Sequence, residues 1–363
     1  MIKKKKLYIL LYSLKYIGGA EKNFINLAEI LFKKNQEIIL ILGGKTNRNY
    51  DLNKFETFYL EKNPDMTKPI SILQCVVKIR LLLSTFNKYE IVLVSFGPVY
   101  SFIASLVKIS LSFQRGIYLI VCERNSVLRK KEGKFTKLTR WLYFQNSNII
   151  TTNSKSNFEI ISRRGYNNVT LVRNYFDMTD LNPELLTPDV LKCLIVSRLE
   201  PQKRVLETID HISQLKTKQS ILVEIFGQGS LEQRLRKKLI DLNSTGKKNI
   251  VFKFHGFIST ENIPFEQFNM LISLSSYEGA SNSMIEALVS GVPILCFNHH
   301  LQEVDFLSQE ENCLTCRFET FEADLLKFSD WCKTVKPADI REITISRLKQ
   351  NPALHKVVTS LEN

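Results

Sequence analysis

Glu278 and Glu286, with seven residues between them, bracket the string Gly279-Ala280-Ser281-Asn282-Ser283. An apolar run, Leu271 to Leu274, precedes the first acid, and a helix is expected to start near Ser283. Small residues let a backbone approach a ligand closely. A helix N-terminus offers unpaired N–H groups and partial positive charge, which suit a phosphate. Glu286 would lie about one turn inside that helix, at roughly 1.5 Å of rise per residue. There it is too deep to repel a phosphate but well placed to accept hydrogen bonds from hydroxyls. An acid on the loop, an acid on the helix and a phosphate cradle between them would hold a sugar nucleotide. The competing explanation is an ordinary strand–loop–helix with two solvated acids.

Three further stretches carry comparable chemistry. Arg198 and Lys203 follow an apolar strand and precede an amphipathic helix marked by Val205, Leu206, Ile209, Ile212 and Leu215. Arginine forks onto phosphate oxygens, whereas lysine acts as a point charge. Gly227-Gln228-Gly229 closes one strand, and Gly18-Gly19-Ala20-Glu21 follows another before a helix. The first of these lacks the third glycine of a dinucleotide fingerprint, because Glu232 stands there. A structural turn is therefore nearly as good a reading of Gly227 as ligand contact. Glu123-Arg124-Asn125 ends another strand, where Glu123 and Arg124 are either sugar or acceptor ligands or a surface ion pair.

The elements that must position these residues alternate between strand and helix throughout. Strands are expected at 7–12, 37–42, 90–95, 117–121, 148–151 and 169–172, then at 191–196, 220–226, 250–254, 269–274, 293–297 and 312–316. Such alternation predicts parallel sheets in both halves, and 363 residues exceed one comfortable core. Ligands of open α/β sheets bind beyond the carboxyl ends of the strands, which is where every candidate falls. The expected division is a basic N-terminal domain over 1–172, a linker over 173–190, a nucleotide-binding domain over 191–337 and a C-terminal helical segment over 338–363 that crosses back to the first domain.

Taken together, these stretches resemble the retaining GT-B glycosyltransferases, above all glycosyltransferase family 4. Glu278 to Glu286 is similar to the family's E-x7-E signature, and Ser197 to Arg204 to its G-R-L-x-x-x-K-G element, with Ser197 and Arg204 replacing the two glycines. Gly227 to Leu231 and Gly18 to Glu21 resemble the G-x-G turn and the G-G-A-E loop, while Val172 to Asp177 resembles the stretch that leaves the first domain. The resemblance implies an α/β GT-B fold, two Rossmann-like parallel-sheet domains facing across a cleft. It implies transfer of a hexose or N-acetylhexosamine from a nucleotide sugar, a UDP-sugar first, to a glycan or lipid-linked glycan acceptor in bacterial polysaccharide or lipopolysaccharide synthesis. Arg198, Lys203 and Glu278 would be catalytic. Gly18, Gly19, Gly227, Ala280, Ser281, Asn282, Ser283 and Glu286 would bind the donor, and Glu123 and Arg124 the acceptor or sugar. Many relatives use a first-domain histidine on the sugar, but here the first histidine is His211.

Charge adds a partner. Residues 1–172 hold 28 lysines and arginines against 11 acids, a net +17, while the remainder holds 22 against 25, a net −3. A one-sided basic surface attracts an anionic polymer or membrane. Within 129–144, Phe135, Leu138, Trp141 and Leu142 recur at helical spacing among cations. That helix either lies on a bilayer or buries its apolar stripe beneath the sheet. The apolar start at Leu7 is read as a first strand behind a basic tail, which predicts a cytoplasmic protein, peripheral at the inner membrane face. Seven cysteines, an odd count, suit a reducing compartment. The absence of a D-x-D triplet predicts metal independence, no cofactor is expected, and His299-His300 lacks further ligands in sequence. Rival readings are a polyanion-binding module, or a GT-B epimerase or phosphorylase; nucleic acid is not an expected partner.

Overall fold

The computed structural model describes residues 5–14, 19–44, 51–60, 68–124, 133–174, 189–245, 249–278 and 281–360. Gly18, Ala280 and most of the expected linker lie outside them. The chain forms two units, one of Met1–Tyr175 with Pro352–Asn363 and the other of Phe176–Asn351.

The first unit is built on β1 (Lys6–Tyr12), β2 (Glu37–Leu42), β3 (Glu56–Tyr59), β4 (Glu90–Phe96), β5 (Ile117–Glu123), β6 (Ile149–Thr152) and β7 (Val169–Leu171). Its helices are α1 (Gly19–Lys33), α2 (Pro69–Ser84), α3 (Pro98–Leu111), α4 (Lys134–Asn146) and α5 (Lys155–Arg163). The sheet order is β3-β2-β1-β4-β5-β6-β7, all parallel. Near-continuous apolar runs such as KLYILLY build it, because helices cover both faces of a parallel sheet. Alternate residues of β1 divide between the two sides. Leu7, Ile9 and Leu11 pack with α2, α3 and α4, while Tyr8 and Leu10 pack with α1. The edge strand β3, ETFY, is short and half polar, and escaped the apolar pattern.

α4 settles one expectation. Its buried residues are Thr139, Arg140, Tyr143 and Phe144, while Phe135, Leu138 and Trp141 are exposed. The apolar stripe therefore does not lie beneath the sheet. The helix is rotated because Tyr143 and Arg140 turn inward onto the buried Glu123, with the Tyr143 hydroxyl donating to Oε2 at 2.7 Å and Arg140 Nε 3.5 Å from it.

The second unit carries β8 (Val190–Val196), β9 (Ser220–Phe226), β10 (Ile250–Gly256), β11 (Met270–Ser273), β12 (Ile294–Phe297) and β13 (Cys313–Cys316) in the parallel order β10-β9-β8-β11-β12-β13. Its helices are α6 (Val205–Gln214), α7 (Glu232–Thr245), α8 (Asn282–Val289), α9 (His300–Glu303), α10 (Phe321–Cys332) and α11 (Pro337–Lys349). Within the stretch 338–363, α11 stays in the second unit, where Ile340 and Leu348 join the α8 core. α12 (Leu354–Thr359) belongs to the first unit, burying Leu354 and Val358 on the α1 side, and the Arg173 N–H donates to Pro352 O at 3.0 Å. Both units are Rossmann-like, and the fold class is α/β.

Candidate active site

Strand order in the second unit reverses between β8 and β11, since β9 and β10 extend from one side of β8 while β11 to β13 extend from the other. Carboxyl ends of strands flanking such a switch point leave a crevice for ligands. Here the loops after β8 and β11 meet there and are stitched together. Ser276 N–H donates to Gln202 O and Gln202 Nε2 to Tyr277 O, each at 2.9 Å. Lys203 Nζ then lies 2.6 Å from Glu278 Oε2, with the two side chains 11% and 9% exposed. Two of the three residues expected to be catalytic are thus a buried ion pair. Arg198, on the same loop, is exposed and makes no ion pair among the described residues.

Arg204 occupies the position where the resembled motif has glycine, and its backbone is left-handed at φ 50°. That conformation disfavours side chains. Here it is held by Nε donating to Ser276 Oγ at 2.9 Å and by the guanidinium lying 5.6 Å from the Phe318 ring centre.

Gly227, expected to contact the donor, also has no room for a side chain. A Cβ there would stand 1.9 Å from Ser197 O, and one at Gly229 would stand 2.5 Å from Leu199 O. With no Cβ at either glycine, the turn after β9 presses against residues 197–199, which places Arg198. Glu200 clasps the same turn, accepting from Ser230 N–H at 3.2 Å and Ser230 Oγ at 2.7 Å, and these bonds hold its carboxyl below the usual range.

α8 begins at Asn282, one residue earlier than expected, with Ser281 as its N-cap. Ser281 Oγ and Ser283 Oγ are 3.0 Å apart, and no acid occupies the first turn. α8 thus starts four residues after Glu278, with no carboxylate in its first turn to oppose a phosphate. Glu286, half-buried a turn later, accepts from Thr260 Oγ1 at 2.9 Å.

Besides Thr260, three residues outside the expected set complete the site. Glu303 Oε2 accepts the Glu278 N–H at 2.8 Å, and burial, then the Glu278 charge, push its carboxyl up to about 7. His300 Nε2 lies 3.0 Å from Ser275 O, and burial followed by the His299 charge pushes its imidazole down to about 4. His299 is also lowered, by burial first. Thr260 and Glu303 gave no sequence signal beyond a polar residue near a strand end. His299-His300 was visible as a pair, but its third neighbour was not.

In the first unit Gly19 opens α1, and Asn23 Nδ2 donates to Gly19 O at 2.6 Å. Glu123 and Arg124 do not pair as a surface couple. Glu123 is interior and engaged with Tyr143 and Arg140, so its Oε2 serves packing within the unit. The Arg124 guanidinium nitrogens are buried without a hydrogen-bond partner among the described residues, 5.9 Å from the Phe96 ring centre. Burial lowers the Arg124 pKa.

Comparison with known proteins agrees with this geometry. Residues 179–323 match the family described as "Glycosyl transferases group 1". The chain is 25% identical over 186 residues to the poly(ribitol-phosphate) alpha-N-acetylglucosaminyltransferase of Staphylococcus aureus (strain COL), covering 50% of this chain and 36% of that protein. The chain thus spans about a third of that curated relative's length. The apo lipopolysaccharide outer core galactosyltransferase WaaB superposes with a TM-score of 0.74 at 13% identity, over 98% of this chain and 99% of that one. Anabaena Alr3699/HepE in complex with UDP and glucose gives 0.73 at 14% identity, over 99% and 100%. These likenesses, with the two parallel sheets, show a GT-B fold, and the stretch that matches the glycosyltransferase model lies in its second unit.

Proposed function

We propose that the protein is a retaining, family 4-type glycosyltransferase that moves a hexose or N-acetylhexosamine from a UDP-sugar to a phosphate-bearing glycan acceptor. The observation that carries this reading is the Lys203–Glu278 pair beside α8 at the switch point. The donor diphosphate lies over Arg198, Lys203 and the N–H groups of Asn282 and Ser283. Its arrival draws Lys203 from Glu278, which frees that carboxylate for the sugar hydroxyls. Glu286 takes the ribose hydroxyls. Attack comes on the face the leaving group departs from: the acceptor oxygen bonds to the anomeric carbon as the bond to phosphate breaks, and the departing phosphate oxygen takes the acceptor proton. Catalysis is then positioning plus stabilisation of the diphosphate by fixed cations. No metal is assigned to this step.

The relative acting on poly(ribitol-phosphate) and the net +17 of residues 1–172 support an anionic acceptor. A lipid anchor on that acceptor suits the outer face of the α2–α3–α4 layer. α2 exposes Ile70, Leu73, Val77 and Leu81, α3 exposes Ile109, and α4 exposes Phe135, Leu138 and Trp141, with Lys78, Arg80, Lys134 and Lys137 among them. Among the described residues no helix is long and apolar enough to cross a membrane. Apolar groups ringed by cations suit adsorption to an anionic bilayer. Flotation with anionic vesicles is expected to carry the protein up and neutral vesicles to leave it behind; indifference to lipid charge refutes the membrane part.

The transferase reading is tested by thermal shift with a panel of nucleotide sugars, followed by transfer from the best ligand to ribitol-phosphate polymer or lipid-linked glycan. A UDP-sugar should raise the melting point. Salt-sensitive RNA binding with no nucleotide affinity would establish the polyanion-binding alternative instead.

A further inference from the structure

His299, His300 and Glu303 each present one ligand atom, and these atoms lie within 4.8 Å of one another. We infer that they form a site for a divalent transition metal of the zinc class, distinct from the cations that counter the diphosphate. This inference does not depend on the transfer reaction.

The argument begins with tautomers. Ser275 O can only accept, so the 3.0 Å contact from His300 Nε2 places the proton there. The neutral ring must then carry its lone pair on Nδ1, and that atom is buried with no hydrogen-bond partner among the described residues. His299 packs edge-on against the His300 ring, with ring centres 4.3 Å apart, and its Nε2 is likewise buried with no hydrogen-bond partner among the described residues. The Ser275 carbonyl thus orients the His300 imidazole, and two buried ring nitrogens, one on each histidine, are left without partners among the described residues. Histidines that bind metals commonly donate one ring N–H to a backbone carbonyl, which aims the other nitrogen at the ion. Leaving such atoms without partners costs stability, so a fold that keeps two together has a use for them.

The third donor fits. Glu303 Oε2 accepts the Glu278 N–H, which leaves its other oxygen available. Two imidazoles and one carboxylate make a borderline donor set that suits zinc, cobalt or nickel over magnesium. Tetrahedral coordination at about 2.0–2.1 Å needs ligand atoms about 3.4 Å apart, so binding would draw the three side chains together. A fourth position would stay open to water. Among the described residues no cysteine joins a cluster of three such ligands, and Cys313 and Cys316, three apart on a strand, face opposite sides of the sheet and join different cores. Through Glu303 the metal would also steady the loop that carries Glu278.

The test uses full-length protein stripped with chelator, then titrated with Zn2+ by calorimetry and with Co2+ by absorption. Expected are one equivalent of tightly held metal, a raised melting point, and a visible Co2+ band without the near-ultraviolet band of thiolate ligation. Each of His299→Gln, His300→Gln and Glu303→Gln should weaken binding at least tenfold. Circular dichroism identifies variants that fail to fold. His299→Gln, at the half-buried position, is expected to fold and keeps the test decisive if His300→Gln does not. No binding by the wild type, thiolate ligation, or undiminished binding by folded His299→Gln overturns the inference.

Discussion

Replacing Lys203 with alanine leaves the Glu278 carboxylate buried beside an empty place. Unit charges 2.6 Å apart attract by about 6 kcal/mol at an effective dielectric constant of about 20, before desolvation is subtracted. Desolvation offsets much of that attraction, so the intact pair contributes little net stability. Removing one partner is another matter, because the survivor keeps its desolvation and loses its compensation, at a cost of about 3–5 kcal/mol. Lys203→Ala and Glu278→Ala should each show that loss. The double variant orphans neither charge and should lose less than the sum of the singles, with a coupling of about 2–3 kcal/mol. Urea unfolding measures this, followed by Trp331 fluorescence in a Trp141→Phe background so that only the second unit reports. Near-burial of the pair also predicts that 0.5 M salt changes the coupling little. Losses that add to within about 0.5 kcal/mol, or that vanish in salt, would refute the claim that these two charges depend on each other.

The remaining predictions concern the same chain of contacts. Arg198→Ala should lower kcat about 100-fold with little change in donor KM, since the charge it meets grows during bond cleavage; an effect confined to KM contradicts its role. Glu286→Gln should weaken UDP binding about tenfold by calorimetry with the melting point preserved, and unchanged affinity removes the ribose assignment. Gly229→Ala forces a Cβ to within 2.5 Å of Leu199 O, so it should cost about 1–3 kcal/mol in urea unfolding; wild-type stability would mean the turn yields freely. Glu123→Ala should destabilise the first unit by about 3–5 kcal/mol, read through Trp141, because Arg140 and Tyr143 lose their buried acceptor; a silent substitution would show that the triad carries no weight.

How far a sequence reveals such a site depends on the kind of contact. Strand positions were legible because parallel strands buried on both faces write themselves as apolar runs, and only ETFY of β3, a half-polar edge strand, left no mark. Lys203 and Glu278 could be named as strand-end residues, but they are 75 positions apart. Nothing in the local pattern said that β8 and β11 are neighbours. Arg140 looked like one more solvated cation, yet its partner Glu123 sits on β5, and that tertiary pair turned α4 so that the tryptophan face points outward. Arg204 shows the same limit in the backbone. A left-handed φ is signalled by glycine, and here an arginine is held in it by Ser276 and an aromatic ring from other elements. The glycines at 227 and 229 were legible as a turn but not as to purpose, because a missing Cβ serves a ligand and an abutting backbone equally well. The positions of Ser197 O and Leu199 O, known only from the fold, show that both glycines let the turn hold the Arg198 loop in place.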